Sequence, residues 1–177
     1  MIWKWDGIKK HSYEDVFRSM DREKIKYLLI GGVAAILHGV PRSTADIDIM
    51  LLMTRENIKK FIGIMDQYGY KPKVPVKPIE LADPKKRKYW QKKKNMKAFS
   101  FQHPDDPFMV IDVVINDPVD FEKAFDERQI FDQWDAKISV VSVETLIELK
   151  KMAGRPQDLS DIKMIRRIQE LRDEEKM

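Results

Sequence analysis

The sequence predicts an α+β fold: one mixed β-sheet with helices before it, within it and after it. Three observations carry that expectation. Short apolar runs of strand length ("KYLLI", "DIDIMLLM", "FMVIDVVI") recur along the chain. Stretches with apolar residues at helical spacing alternate with them. Gly, Pro and capping residues punctuate the boundaries.

Ser12 with Asp15 reads as a cap, and "YEDVFRSMDR" has helical spacing. "KYLLIGG" is a buried strand ending on glycines, and "VAAILHG" a short helix stopped by Gly39 and Pro41. "DIDIMLLM" is a strand. Thr54 caps a helix running to about Tyr68, with Phe61, Ile62 and Met65 on its inner side. Residues 71–97, rich in Pro and Lys, read as a long loop with room for one short helix. "AFSFQH" and "FMVIDVVI" are strands joined by the turn signal "PDDP". A short helix follows over "DPVDFEKAFDER", then a strand over "AKISVVS". Ser142 caps "VETLIELKKMA", "GRP" breaks the chain, and a last helix carries an Ile162, Ile165, Ile168 and Leu171 core stripe. The 177 residues suit one domain spanning 1–177, with 141–177 as its C-terminal helical part.

Composition removes several classes of function. There is no Cys, which excludes disulfides, thiolate metal sites and cysteine nucleophiles. No stretch approaches the roughly 20 apolar residues of a membrane helix, and "MIWKWDGIKK" has no apolar signal-peptide region. No membrane partner and a cytoplasmic location are therefore expected. Charge is unevenly spread: Lys71 to Lys97 holds eleven basic residues against Glu80 and Asp83, a local +9 in a chain of +4. That asymmetry suggests a face for a polyanion. "KKRKYWQKKKNMKAFSF" adds Tyr89, Trp90 and Phe99, a texture that suits RNA as well as a solvated lysine face anchored by an aromatic.

The chemistry concentrates in "LIGGVAAILHGVPRSTADIDIML". Strand residues i and i+2 share a face, so Asp46 and Asp48 stand side by side, opposite Ile47, Ile49 and Leu51. Like charges near 4 Å repel by about 4 kcal/mol at an effective dielectric of ~20. A divalent cation offsets that cost, and Mg²⁺ (or Mn²⁺) takes carboxylate and phosphate oxygens together. Asp112 interrupts another apolar strand in the same way. Three acids on two strands could hold two metal ions, the arrangement for in-line phosphoryl displacement. Gly31 and Gly32 lie between a strand and a helix, where missing Cβ atoms let phosphate approach backbone N–H groups. Neither G-x-G-x-x-G nor G-K-[ST] is present, which argues against a Rossmann site and a P-loop. Arg42 either clamps phosphate or pairs with Asp46 or Asp48. His38 reads as structural and His103 as a loop residue.

Strand, Gly-Gly, helix, D-x-D strand and a later lone Asp together resemble the nucleotidyltransferase superfamily, the polymerase-beta-like fold. "GGVAAILHGVPRSTADIDIML" and "LIELKKMAGRPQDLSDIKMI" are similar to the branch of AbiEii-type toxins and small uncharacterised relatives. The resemblance covers about residues 25–170. It implies that Asp46, Asp48 and Asp112 are catalytic and bind two metal ions. It implies that Gly31, Gly32, Lys150, Lys151, Arg155 and Asp158 meet the NTP. Val33 stands where many members have a phosphate-binding Ser; Ser43 or Thr44 would take that role, or the backbone alone would suffice. The implied activity is transfer of a nucleoside monophosphate from an NTP to a hydroxyl on RNA, protein or a small molecule. The alternatives are phosphotransfer on the same fold, or a non-catalytic binding module or toxin component with an antitoxin-like partner.

Overall fold

The computed structural model describes residues 12–177. Its helices are α1 (Tyr13–Arg22), α2 (Gly31–Leu37), α3 (Arg55–Gln67), α4 (Pro84–Lys94), α5 (Phe121–Asp126), α6 (Val143–Ala153) and α7 (Pro156–Glu175). Its strands are β1 (Tyr27–Ile30), β2 (Ile47–Leu51), β3 (Lys71–Pro72), β4 (Ala98–His103), β5 (Asp106–Val114), β6 (Gln129–Gln133) and β7 (Ala136–Val140). All seven strands join one mixed sheet in the order β3-β4-β5-β2-β1-β7-β6. β2 pairs antiparallel with β1 and parallel with β5. The α+β expectation holds. No helix of the described residues is long and apolar enough to cross a membrane.

Helix starts follow local chemistry. Thr54, Asp83, Asp120 and Ser142 each accept a backbone N–H from the first turn of the helix they precede. The Asp15 carboxylate accepts from the Ser12 backbone N–H at 3.3 Å. Left-handed Gly154 (φ 63°) ends α6.

Alternation along the strands separates two faces. Tyr27, Leu29, Ile49, Phe99 and Phe101 point one way and are buried. Helices α1, α3 and α4 cover them: Phe17 meets Tyr27 at 5.9 Å between centroids, Phe61 meets Phe101 at 5.6 Å, and Trp90 meets Phe99 at 5.8 Å. Ile30, Asp48 and Asp112 point the other way. There α2 packs on β1 and β2, and α6 and α7 pack together beyond it. Half-buried Ala98, Ser100 and Gln102 mark where cover is thinner over β4.

Several expectations change. Residues 71–97 are not a long loop: they hold β3, a 3-10 helix at Pro78–Ala82, and the 11-residue α4. Lys-rich α4 has no apolar stripe, which hides it from periodicity, yet Asp83 caps it and Pro84 opens it. Strand β6 was not expected. It is a half-polar edge strand closed onto β7 by Trp134 and Asp135, both at φ 55°, a turn lacking the usual Asn-Gly. His103 is not a loop residue: it is buried at the end of β4 and meets the Tyr70 ring edge-on. On α3, Ile58 and Ile64 are buried deeper than Ile62. Leu171 is 43% exposed and leaves the α7 core stripe.

Trp90 is 4% exposed, so its indole fills the core instead of offering a platform for a base. Trp90→Ala is expected to cost about 3–5 kcal/mol in denaturant unfolding. Its neighbour Tyr89 is 51% exposed, and Tyr89→Ala should stay within about 0.5 kcal/mol. Equal losses for the two variants would contradict this packing.

Candidate active site

Strand β1 ends at Ile30, the cross-strand partner of Asp48. Gly31 then turns the chain at φ +69° into α2. A Cβ at residue 31 would lie 2.3 Å from Asp48 Oδ2, so only glycine admits that carboxylate. A Cβ on Gly32 would lie 3.0 Å from the Thr44 side chain. The glycine pair thus makes room first for the site's own side chains. Thr44 is half-buried over this turn and Ser43 is exposed beside it.

Asp48 and Asp112 are register partners on the parallel strands β2 and β5, so their side chains share a face. Asp46 lies two residues upstream and is exposed. Burial, then Asp112 and Asp46, push the Asp48 carboxyl up from 3.8 to about 6, against the pull of Arg155 and Lys150. Burial and Asp112 also raise Asp46, with Lys73 opposing them. Asp112 Oδ1 is buried without a hydrogen-bond partner. Such an oxygen is costly unless something positive meets it. Among the described residues no three His, Asp or Glu side chains are drawn together as a ready metal-binding group. The hard oxygen donors, the orphaned Oδ1 and the mutual repulsion nonetheless suit a divalent cation, which Asp48 and Asp112 would hold. Tyr13 closes one edge of this region: its hydroxyl donates toward the Ala45 carbonyl at 3.2 Å and accepts from the Val110 N–H at 2.8 Å.

A second cluster backs the site. The Lys150 ammonium is buried, 2.7 Å from Asp161 and 3.5 Å from Asp158. Arg42 meets Asp161 at 2.6 Å, and Arg155 meets Asp158 at 2.8 Å. Burial by itself would raise both carboxyls. The Arg155 hydrogen bond and charge hold Asp158 below the ordinary value, and Lys150, Gln157 and Arg42 do so for Asp161. Two expectations are corrected here. Arg42 pairs with Asp161, not with Asp46 or Asp48, because the buried Asp161 carboxylate needs a partner. Lys150 is enclosed in the same cluster and reaches the site through its charge. Arg155, with a side chain 74% exposed, also bears on Asp48. Lys151 is exposed.

Asp161 was missed as a site residue, although its i+3 spacing from Asp158 on a helix could have found it. Tyr13 left no signal, since it joins the site from a separate helix. The basic segment 71–97 is split across the sheet, with Lys71 and Lys73 at the β3 edge and α4 on the opposite face. Trp90 packs on Phe99, whose side chain points away from the face of Asp112, so α4 lies behind the sheet.

The mixed seven-stranded sheet with its flanking helices is of the nucleotidyltransferase type, as comparison with solved structures shows. The chain matches a lincosamide antibiotic adenylyltransferase bound to lincomycin (TM-score 0.53, 21% identity, 84% of this chain and 90% of that one). It matches a Thermotoga maritima protein described as a nucleotidyltransferase (0.54, 16%, 87% and 94%). It also matches ANT(2")-Ia in complex with adenylyl-2"-tobramycin (0.54, 13%, 91% and 92%). At these identities the likeness is one of fold. Residues 11–173 match the family model described as nucleotidyltransferase of unknown function (DUF6036), and the chain belongs to that family. A search of curated proteins gives no match. The AbiEii-type branch rests on the motif resemblance alone.

The raised Asp48 value has a thermodynamic consequence. As pH rises from 3.8 to about 6, Asp48 ionises in the unfolded chain before it does in the fold. This group therefore lowers stability through that window, and above it the full cost of about 1–3 kcal/mol is present. Burial lowers the His38 value, which acts with the opposite sign, losing stability as pH falls. Comparison with Asp48→Asn cancels the His38 contribution. With EDTA present, the variant should be more stable than the parent near about pH 7.5, and the gap should close by about pH 4. A variant less stable than the parent at the higher pH would contradict the strained-carboxylate account.

Proposed function

We propose that the chain transfers a nucleoside monophosphate from an NTP to a hydroxyl acceptor. The carrying observation is the in-register Asp48–Asp112 pair with the Asp112 Oδ1 orphan, set against the Gly31 turn. Family membership and adenylyltransferase neighbours of the same fold support the reaction type.

Asp46, Asp48 and Asp112 would hold Mg²⁺ or Mn²⁺, which when bound offsets carboxylate charge and polarises phosphoryl oxygens. The acceptor oxygen forms a bond to the α-phosphorus. The bond from that phosphorus to the β-bridging oxygen breaks, and pyrophosphate leaves. The acceptor's proton passes to a carboxylate oxygen of Asp112 and then to water. The first turn of α2 at Gly31 and Gly32, with Ser43, Thr44 and the exposed Arg155, borders the triphosphate side. Lys150 and Asp158 act from within the buried α6–α7 cluster, Arg42 from the loop before β2 that pairs with it, and exposed Lys151 from α6. Most of the rate enhancement would come from positioning and fixed charge.

Incubation with NTPs labelled at the α or γ phosphorus tests this. α-Label should pass to an acceptor with release of pyrophosphate, and Asp48→Asn and Asp112→Asn should each slow it by at least about a hundredfold. Transfer of γ-label instead would assign a phosphotransferase. Binding without transfer of either label would assign a non-catalytic module.

A further inference from the structure

Two rows of residues cross the carboxylate face of the sheet. Asp48 partners Asp112, Asp112 partners Ser100, and the Lys73 N–H donates to the Ser100 carbonyl at 2.9 Å. Cross-strand partners share a face, so Asp48, Asp112, Ser100 and Lys73 line up on one side. One row over, Val110 partners Gln102 and Gln102 partners Lys71. With strands about 4.8 Å apart, the Lys73 backbone lies about 10 Å from that of Asp112, a span its long side chain shortens. Lys71 and Lys73 are both exposed, and Ala98, Ser100 and Gln102 between them and the carboxylates are half-buried. This half of the face is a shelf of small and neutral side chains with a cationic outer edge. The other half carries α2, and the glycine turn borders Asp48 from that side.

We propose that the β3–β4–β5 shelf is the acceptor subsite, and that it takes a hydroxyl compound carrying a phosphate group. The assignment rests on the nucleotidyl-transfer reading. It adds which side of the carboxylates the acceptor enters from and the charge it bears. With the donor phosphates on the glycine side, a hydroxyl held over Ser100 approaches the α-phosphorus from the opposite side, as in-line displacement requires. The acceptor's own phosphate then lies outward, over Lys73. A cationic acceptor would instead meet like charge there. Lys73 stands in the same row as Ser100 and Asp112, one row nearer the carboxylate pair than Lys71, so Lys73 is the principal anion contact. The Lys73 charge is felt at Asp46, in keeping with a side chain that reaches inward.

The test uses the full chain with Mg²⁺ and four probes: glycerol 3-phosphate, a 5'-phosphorylated oligoribonucleotide, glycerol and tobramycin. Backbone amide shifts report binding, and α-labelled ATP reports transfer. Glycerol 3-phosphate or the oligonucleotide should shift the Lys73, Ser100 and Gln102 amides, and glycerol and tobramycin should not. Binding of the oligonucleotide alone would make the phosphate that of a nucleic acid, and binding of both would make it a local phosphate. Lys73→Gln should weaken binding about tenfold, or ~1.4 kcal/mol. It should raise the acceptor KM with little change in kcat, and Lys73→Arg should restore it. Shifts absent from β3–β5, equal shifts with glycerol, or an unchanged Lys73→Gln variant would overturn the subsite. Label passing only to glycerol or tobramycin would also overturn it while leaving nucleotidyl transfer standing. Shifts at the shelf with no label transferred to any probe would keep the subsite and count against transfer.

Discussion

Everything near the candidate site is arranged around the Asp48 carboxylate, pressed against Gly31 and level with Asp112 across β2 and β5. That position sets severe local demands. Residue 31 must lack a Cβ and adopt a left-handed backbone, β1 must end at Ile30, and β2 must keep its register with both neighbours. A slip of one residue in β2 would turn Asp48 into the core, away from Asp112, and expose Ile47 and Ile49. The buried apolar face of β2 therefore fixes the chemistry of the other face.

Charge around this point is layered. The carboxylates repel one another and are raised by burial, which leaves them short of positive charge. Behind them, Lys150, Arg42 and Arg155 are matched to Asp158 and Asp161. A buried ion pair adds little net stability, yet removing one partner is severe. The cluster ties the loop before β2 to α6 and α7, which sets the distance between the D-x-D strand and Arg155. Helix α4, the most basic element, lies behind the sheet and is held there by Trp90.

Much of the fold, and the placement of two of the three candidate carboxylates, was legible in the sequence for physical reasons. Asp in an apolar strand is conspicuous, and alternation puts Asp48 and Asp112 on one face as the pairing has them, whereas Asp46, expected in the same strand, lies just before β2 and is exposed. Caps at Thr54 and Ser142 marked helix starts through local hydrogen bonding. Strand β6 was hidden because an edge strand needs no apolar alternation, and α4 because two buried side chains, Arg87 and Trp90, give no stripe. Partner choice was the least legible: Arg42 reaches Asp161 across 119 positions, and nothing local in either residue specifies the other. The same holds for Lys73, whose relevance depends on the pairing of β3 with β4.

The most direct measurement is an anomalous-scattering map from crystals grown with Mn²⁺ and a non-hydrolysable NTP analogue. A peak is expected at the Asp48 and Asp112 carboxylates, with the analogue's phosphates on the glycine side. A nucleotide bound with no peak there, or with Asp112 turned away from it, would contradict the account.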